Sequence, residues 1–305
     1  MGASETGQVK AAAAIFGPMR LPFLILTPAC VVLGAAAAWR SGIPISPWHL
    51  ALALVGGILA HIAVNSLNEF EDFRSGLDLR TERTPFSGGS GVLPAAPERS
   101  HYALYIGLGS AALVLAIGLY FAWLRGRDIL PLGLIGLVVI LSYTRWITRS
   151  VLLCLIAPGL GFGTLMVMGT EFALTGQYTA TGLAASFVPF FLVSDLLLIN
   201  QFPDTEADRS VGRRHLLVVA GPRAAAWVYA LFLVATYATV VLAWLGGLFP
   251  ALSLISLITL VLAVPTAIGA LRHGDDIPAL IPHLGRNVLI CIATPVLLAA
   301  GLYWG

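Results

Sequence analysis

The chain has 305 residues, of which 58% are hydrophobic and 10% charged, with a formal net charge of +2 and a mean hydropathy of +0.90. Soluble domains carry about 25% charged residues, so a water-soluble globule is excluded: too few polar side chains exist to cover its surface. The near-neutral charge gives no basis for nucleic-acid binding or for an acidic partner. Cys30, Cys154 and Cys291 each sit inside an apolar run without metal-ligand spacing, and read as small packing residues. No short apolar stretch followed by a cleavage site opens the chain, so no removable signal peptide is expected, and Met1–Ser4 matches an acylation start too loosely to carry weight.

A membrane-crossing helix needs about 20 mostly apolar residues. After a polar tail (1–18), apolar runs at 21–39, 49–67, 102–124, 129–147, 151–172, 183–200, 224–245, 252–271 and 287–303 predict nine crossings in one domain, 1–305. The fourth and fifth are parted only by the short stretch 142–150, which carries Arg145 and Arg149. Pro158 and Pro265 fall inside apolar runs, where neighbouring helices can satisfy the carbonyls a kink frees.

Of the 17 Lys and Arg, all but Arg40, Arg125 and Arg127 fall on the tail, which includes Lys10, or on the loops after even-numbered spans. Positive charge accumulates on the cytoplasmic side, which predicts a cytoplasmic N-terminus and an exoplasmic C-terminus, as in a bacterial inner membrane. Two of the cytoplasmic loops, at 68–101 and 201–223, are long and rich in Asp, Glu and Arg. Loops beyond about 12–15 residues in a compact protein are usually functional or disordered.

Each of these loops follows an Asn-rich helix end. The second span ends in Asn68, Asp72, Gly76 and Asp78; the sixth ends in Asn200, Asp204 and Asp208. Residues four apart lie about 40° apart round a helix, so Asn200, Asp204 and Asp208 are expected on one face of a continuing helix, and Asn68 and Asp72 likewise. Asp78 lies about 240° beyond Asp72, and would point away unless Gly76 ends the helix and turns the chain back. Paired carboxylates presented twice on one membrane face suit Mg2+, which takes oxygen ligands from one or two carboxylates together with substrate phosphates. Asp72, Asp78, Asp204 and Asp208 are thus the candidate metal ligands. The Arg-rich stretches after each cluster are suited to binding phosphate oxygens.

These motifs resemble the UbiA superfamily of intramembrane prenyltransferases. That resemblance implies an all-α polytopic protein of nine helices around a central cavity opening to the cytoplasmic face, with an isoprenyl diphosphate held by Mg2+ between the two acidic motifs. The first motif and the following Thr84–Gly91 segment are similar to the branch that prenylates 1,4-dihydroxy-2-naphthoate in menaquinone synthesis. Tyr143 is followed here by Thr-Arg-Trp-Ile-Thr-Arg, where such enzymes carry a proline pair. The resemblance implies loss of diphosphate from a polyprenyl diphosphate and attack by an electron-rich aromatic acceptor within the membrane lipid.

Asn68, Asn200, Arg74, Arg145 and Arg209 are then candidate diphosphate contacts, each Arg standing equally as a membrane-interface anchor. Asp195, inside the sixth span, and Tyr143 are candidate catalytic groups, since an intramembrane carboxylate is a functional hypothesis by default; a helix–helix contact and an interface anchor are their alternatives. His61 lies two turns before Asn68 on the same face. Another acceptor, such as 4-hydroxybenzoate, homogentisate or a lipid, stays open, as does a secondary transporter, whose polar groups belong near mid-membrane. A CDP-alcohol phosphotransferase is excluded, because its D-G-x-x-A-R run is absent.

Overall fold

A computed structural model describes residue 13 and residues 15–305, all helical or in turns and connections. Lys10 and the Met1–Ser4 start lie outside the described residues. In chain order the long elements are α1 (Leu21–Arg40), α2 (Pro47–Ser75), α3 (Ser100–Arg125), α4 (Ile129–Ser142), α5 (Val151–Thr175), α6 (Ala180–Asn200), α7 (Leu216–Leu245), α8 (Ala251–His273) and α9 (Ile277–Trp304). All but α4 are long and apolar enough to cross a bilayer, which makes eight among the described residues. The protein is an integral membrane protein.

Of the nine expected spans, the fourth, α4, falls short of the length a crossing needs. Its 14 residues reach about 21 Å at 1.5 Å per residue, short of a hydrocarbon core of about 30 Å. The helix ends at Ser142 because the polar run after it folds on itself: the Thr148 hydroxyl donates to the Thr144 carbonyl at 2.7 Å, and Arg214 N–H donates to the Thr148 carbonyl at 2.9 Å. Apolar residues thus stop forming a span where side chains and loop begin to compete for backbone groups.

Other spans run longer than their apolar runs. Ser46 caps α2, accepting from His49 N–H, with Pro47 in the first turn where its missing N–H costs nothing. α7 begins at Leu216 and is interrupted at Gly221 (φ 82, ψ 172), just ahead of Pro222. In α5, Pro158 is followed by a π-helical turn at Leu160–Leu165. Such wide turns re-route the backbone hydrogen bonds a proline disrupts.

The core gathers around α6, which packs on α1, α5, α7 and α9. Gly163 of α5 makes this approach close: a Cβ there would lie 2.5 Å from the Phe190 nitrogen of α6. Small residues let membrane helices come together where no hydrophobic force drives them. Leu134, Val138, Val234, Leu242 and Val261 face outward and exposed, as a lipid-facing surface requires.

Candidate active site

The first acidic tip is built by the end of α2. Asn68 and Asp72 sit one turn apart, and the helix stops at Gly76, which adopts φ 77 and ψ 10. That left-handed conformation costs a glycine little. It feeds a tight turn, Leu77–Leu79, so that Asp78 comes back to line the same cavity as Asn68 and Asp72.

The second tip differs from the expected continuous helix. α6 ends at Asn200, residues 201–204 form a turn, and a short helix begins at Thr205 and runs to Ser210. Pro203 is the physical reason: it has no N–H to donate, and it disfavours helical backbone in the residue before it. The four-residue step re-forms beyond it, with Asp208 N–H donating to the Asp204 carbonyl at 2.8 Å. Asn200, Asp204 and Asp208 therefore still reach one cavity.

That cavity, of about 400 Å³, is shared by both tips. Its polar end carries the four aspartates and the three asparagines Asn65, Asn68 and Asn200 together with Arg20, Arg213 and His215; its far end is lined by Phe121, Ile129, Leu132 and Ala173. The lining extends along α2 from Asp72 back to Ala53, about 28 Å at the helical rise.

Charge at the polar end is partly neutralised from within. Arg213 donates one N–H to Asp72 Oδ1 and another to Asp208 Oδ1 at 2.8 Å, while His215 Nε2 lies 2.9 Å from Asp208 Oδ2. Burial opposes the Arg213 charge, but Asp72 and Asp208 outweigh it and raise its pKa. Asp78 and Asp204 are left differently. Asp78 Oδ2, Asp204 Oδ1 and Asn200 Oδ1 are buried with no hydrogen-bond partner among the described residues. Burial, then the charges of Glu69 and Asp72, push Asp78 up to about 7. Burial and Asp208 push Asp204 to about 7 as well, against a hydrogen bond from Ser87.

Among the described residues no group of three or more His, Cys, Asp or Glu is gathered to hold a metal by itself. A structural zinc site needs such a cage; Mg2+ does not, since it keeps waters and takes substrate phosphate oxygens. Unpartnered, buried oxygens on Asp78, Asp204 and Asn200, all lining one polar chamber, are donors of the type Mg2+ prefers. These residues fit that ion.

Several residues singled out from the sequence lie elsewhere. Arg74, Arg145 and Arg209 are exposed and do not line the cavity. Arg145 pairs with Glu71 at 2.7 Å and Arg209 with Glu206 at 2.9 Å. Helical phase explains two of the three: Arg74 is two residues from Asp72 and Arg209 one from Asp208, about 200° and 100° round the helix. Asp195 is wholly buried but does not line the cavity. It lies five residues before Asn200, about 140° round α6, and neither of its oxygens has a hydrogen-bond partner among the described residues. Tyr143 does line the cavity, as does His61, which is 3.0 Å from the Thr27 hydroxyl and edge-on to the Phe162 ring. Asn68 also lines it, donating its side-chain amide to Thr144 at 3.1 Å.

Residues not anticipated from the sequence complete the polar end. Arg20 is the one described non-glycine residue with positive φ (50°), a conformation that usually marks a constrained or functional position. It donates to the buried Glu69 at 3.0 and 3.2 Å. Ser90, in the glycine-rich loop, closes on Glu69 from the other side. Gly89 must be a glycine twice over: its φ is 72°, and a Cβ would lie 2.9 Å from Asp78 Oδ1. The Arg-rich stretch after the second motif was the signal for Arg213, but the sequence did not say which of its arginines turns inward.

The family model described as "UbiA prenyltransferase family" matches residues 26–279. Among curated proteins, the chain is 26% identical over 186 residues to 1,4-dihydroxy-2-naphthoate octaprenyltransferase of Bacillus subtilis, covering 59% of this chain and 57% of that one. It is also 26% identical over 209 residues to digeranylgeranylglyceryl phosphate synthase of Natronomonas pharaonis, covering 67% of this chain and 69% of that one. Among solved structures, a UbiA homolog from Aeropyrum pernix K1 superposes with a TM-score of 0.69 at 18% identity, covering 91% of this chain and 96% of that one. A UbiA homolog from Archaeoglobus fulgidus, bound to DMAPP and Mg2+, does so with a TM-score of 0.58 at 16% identity, over 93% and 99%. At these identities the structural likeness speaks for the fold.

Proposed function

The chain belongs to the UbiA prenyltransferase family, and from that premise we propose that it transfers an isoprenyl group, with Mg2+, from a polyprenyl diphosphate to an aromatic acceptor such as 1,4-dihydroxy-2-naphthoate. The observation that carries this reading is one cavity with two ends. Unpartnered carboxylates from both motifs meet at one end, and an apolar tube of about 28 Å leads away from them to Phe121 and Ile129. A diphosphate headgroup suits the first and a hydrocarbon tail the second.

In this reading Asp78 and Asp204, with Asn200, hold the cation, and Asp72 and Asp208 complete the anionic rim. When bound, Mg2+ neutralises the diphosphate and makes it a better leaving group. Arg20 and Arg213 supply fixed positive charge at the same end, where low dielectric strengthens it. The allylic carbon–oxygen bond breaks as the acceptor carbon forms its bond to the allylic carbon; diphosphate takes the bonding pair, and the acceptor carbon then loses its proton or, where it bears one, its carboxylate as CO2. Walls at His61, Phe162 and Leu165 exclude water that would otherwise capture the allylic carbon.

The Thr84–Gly91 segment and the naphthoate-prenylating relative support the aromatic acceptor. The equal identity to a synthase of a glyceryl phosphate lipid favours a second reading, a lipid acceptor at the same site. The one-sided charge of the loops supports a cavity mouth facing the cytoplasm. A transporter is disfavoured because the carboxylates meet at helix ends rather than half-way along the spans. Purified protein given geranylgeranyl or longer diphosphates with a panel of naphthoate, phenolic and glycerol-phosphate acceptors, with products read by mass, tests the assignment. Prenylated naphthoate is the expected product; prenylated lipid alone would replace the aromatic reading.

A further inference from the structure

Arg213 occupies the point where the two acidic tips meet. It joins Asp72, on α2, to Asp208, on the short helix beyond α6, and the three side chains are only 16, 8 and 2% exposed. His215 holds the remaining oxygen of Asp208 at 2.9 Å. Two carboxylates brought together away from water repel strongly, and a guanidinium fork between them relieves both at once. Among the described residues Asp78 and Asp204 have no such counter-ion, and each keeps an oxygen without a partner. Four aspartates that look equivalent in the two motifs are therefore of two kinds.

We propose that Arg213 is a built-in cation that competes with Mg2+ for Asp72 and Asp208. This rests on reading the cavity as a Mg2+–diphosphate site. Under it, divalent cations bind unequally. Asp78 and Asp204 accept an ion without displacing anything, whereas an ion at Asp72 and Asp208 must first break two buried charge-assisted hydrogen bonds. Diphosphate makes that exchange easier, because its oxygens give the released guanidinium a new partner within the same chamber. The arrangement ties full loading of the site to arrival of the donor substrate.

The test uses the full-length protein in detergent, titrated with Mg2+ alone and read as a thermal shift, without diphosphate. Wild-type protein is expected to show a tighter and a weaker phase. Arg213→Gln should strengthen the weaker phase on the order of tenfold, the scale of losing one to two charge-assisted hydrogen bonds to a competitor. Arg213→Lys, which keeps the charge but not the fork, should fall between, and serves alone if Arg213→Gln does not fold. Unchanged Mg2+ affinity in the variants, with weakened binding of inorganic pyrophosphate, would overturn the proposal and leave Arg213 a simple phosphate ligand. Mg2+-dependent diphosphate release from an allylic diphosphate is measured on the wild type in parallel. Active wild type with unaltered Mg2+ affinity in the variants defeats only this proposal, whereas inactive wild type that binds no Mg2+ defeats the functional reading with it.

Discussion

Ser90 donates its backbone N–H to the fully buried Glu69 at 2.9 Å. The same carboxylate accepts Arg20, so one side chain on α2 clamps the start of α1 on one side and the glycine-rich loop on the other. Asp78 lies directly against that loop, across from Gly89. A buried pair broken by removing one partner costs about 3–5 kcal/mol. Because Arg20 is 24% exposed and can be partly rehydrated, Glu69→Ala is expected to cost about 2 kcal/mol. A lowered Tm in detergent and faster proteolysis within 82–91 are the expected readouts.

The two kinds of aspartate give separable phenotypes. Asp204 has an oxygen with no hydrogen-bond partner among the described residues, so Asp204→Ala should cost about a hundredfold or more in turnover with no loss of Tm. Asp72→Ala should lose turnover and stability together, because it strips a partner from the buried Arg213. Turnover by either variant at the wild-type rate would remove that residue from the metal site.

Protonation gives a signed prediction. Asp78 and Asp204 are both raised to about 7, above the usual carboxylate value of about 4. A raised folded pKa contributes stability at pH below the unfolded value, and loses it as pH rises through the folded one. Without divalent cation, Tm should therefore fall between about pH 4 and pH 7 on account of these two groups. Mg2+ then has more repulsion to relieve and no proton to displace, so its stabilising effect should be larger at pH 8 than at pH 6. An equal effect at both would place the ion away from these carboxylates.

Tail length is open to design. Gly118 of α3 lines the cavity, and a Cβ there would meet no atom within 4 Å. Gly118→Leu is expected to shorten the longest donor accepted while leaving dimethylallyl transfer intact, as read from product masses.

Much of this was legible in the sequence because lipid imposes strong constraints. Apolar runs had to be helices, and Gly76 after Asp72 had to be a turn for Asp78 to matter. Less legible was anything depending on helical phase past a break. Arg209 lies about 100° round from Asp208, whereas the chain turns at Gly212 (φ 80) and brings Arg213 back onto Asp208, so the inward arginine is Arg213. Asp195 could be counted as intramembrane, yet its orientation depends on its offset of about 140° from Asn200 and on how α6 packs. The short α4 was hidden because composition alone does not report that Thr144 and Thr148 close a turn.

In the proposed function both acidic tips grip one diphosphate through bound cations. The most direct measurement is anomalous scattering from crystals grown with Mn2+ and a non-reacting allylic diphosphate analogue. A metal peak is expected within coordination distance of Asp78 and Asp204, beside the analogue's phosphates. Analogue bound in the cavity with no metal at either carboxylate would contradict it.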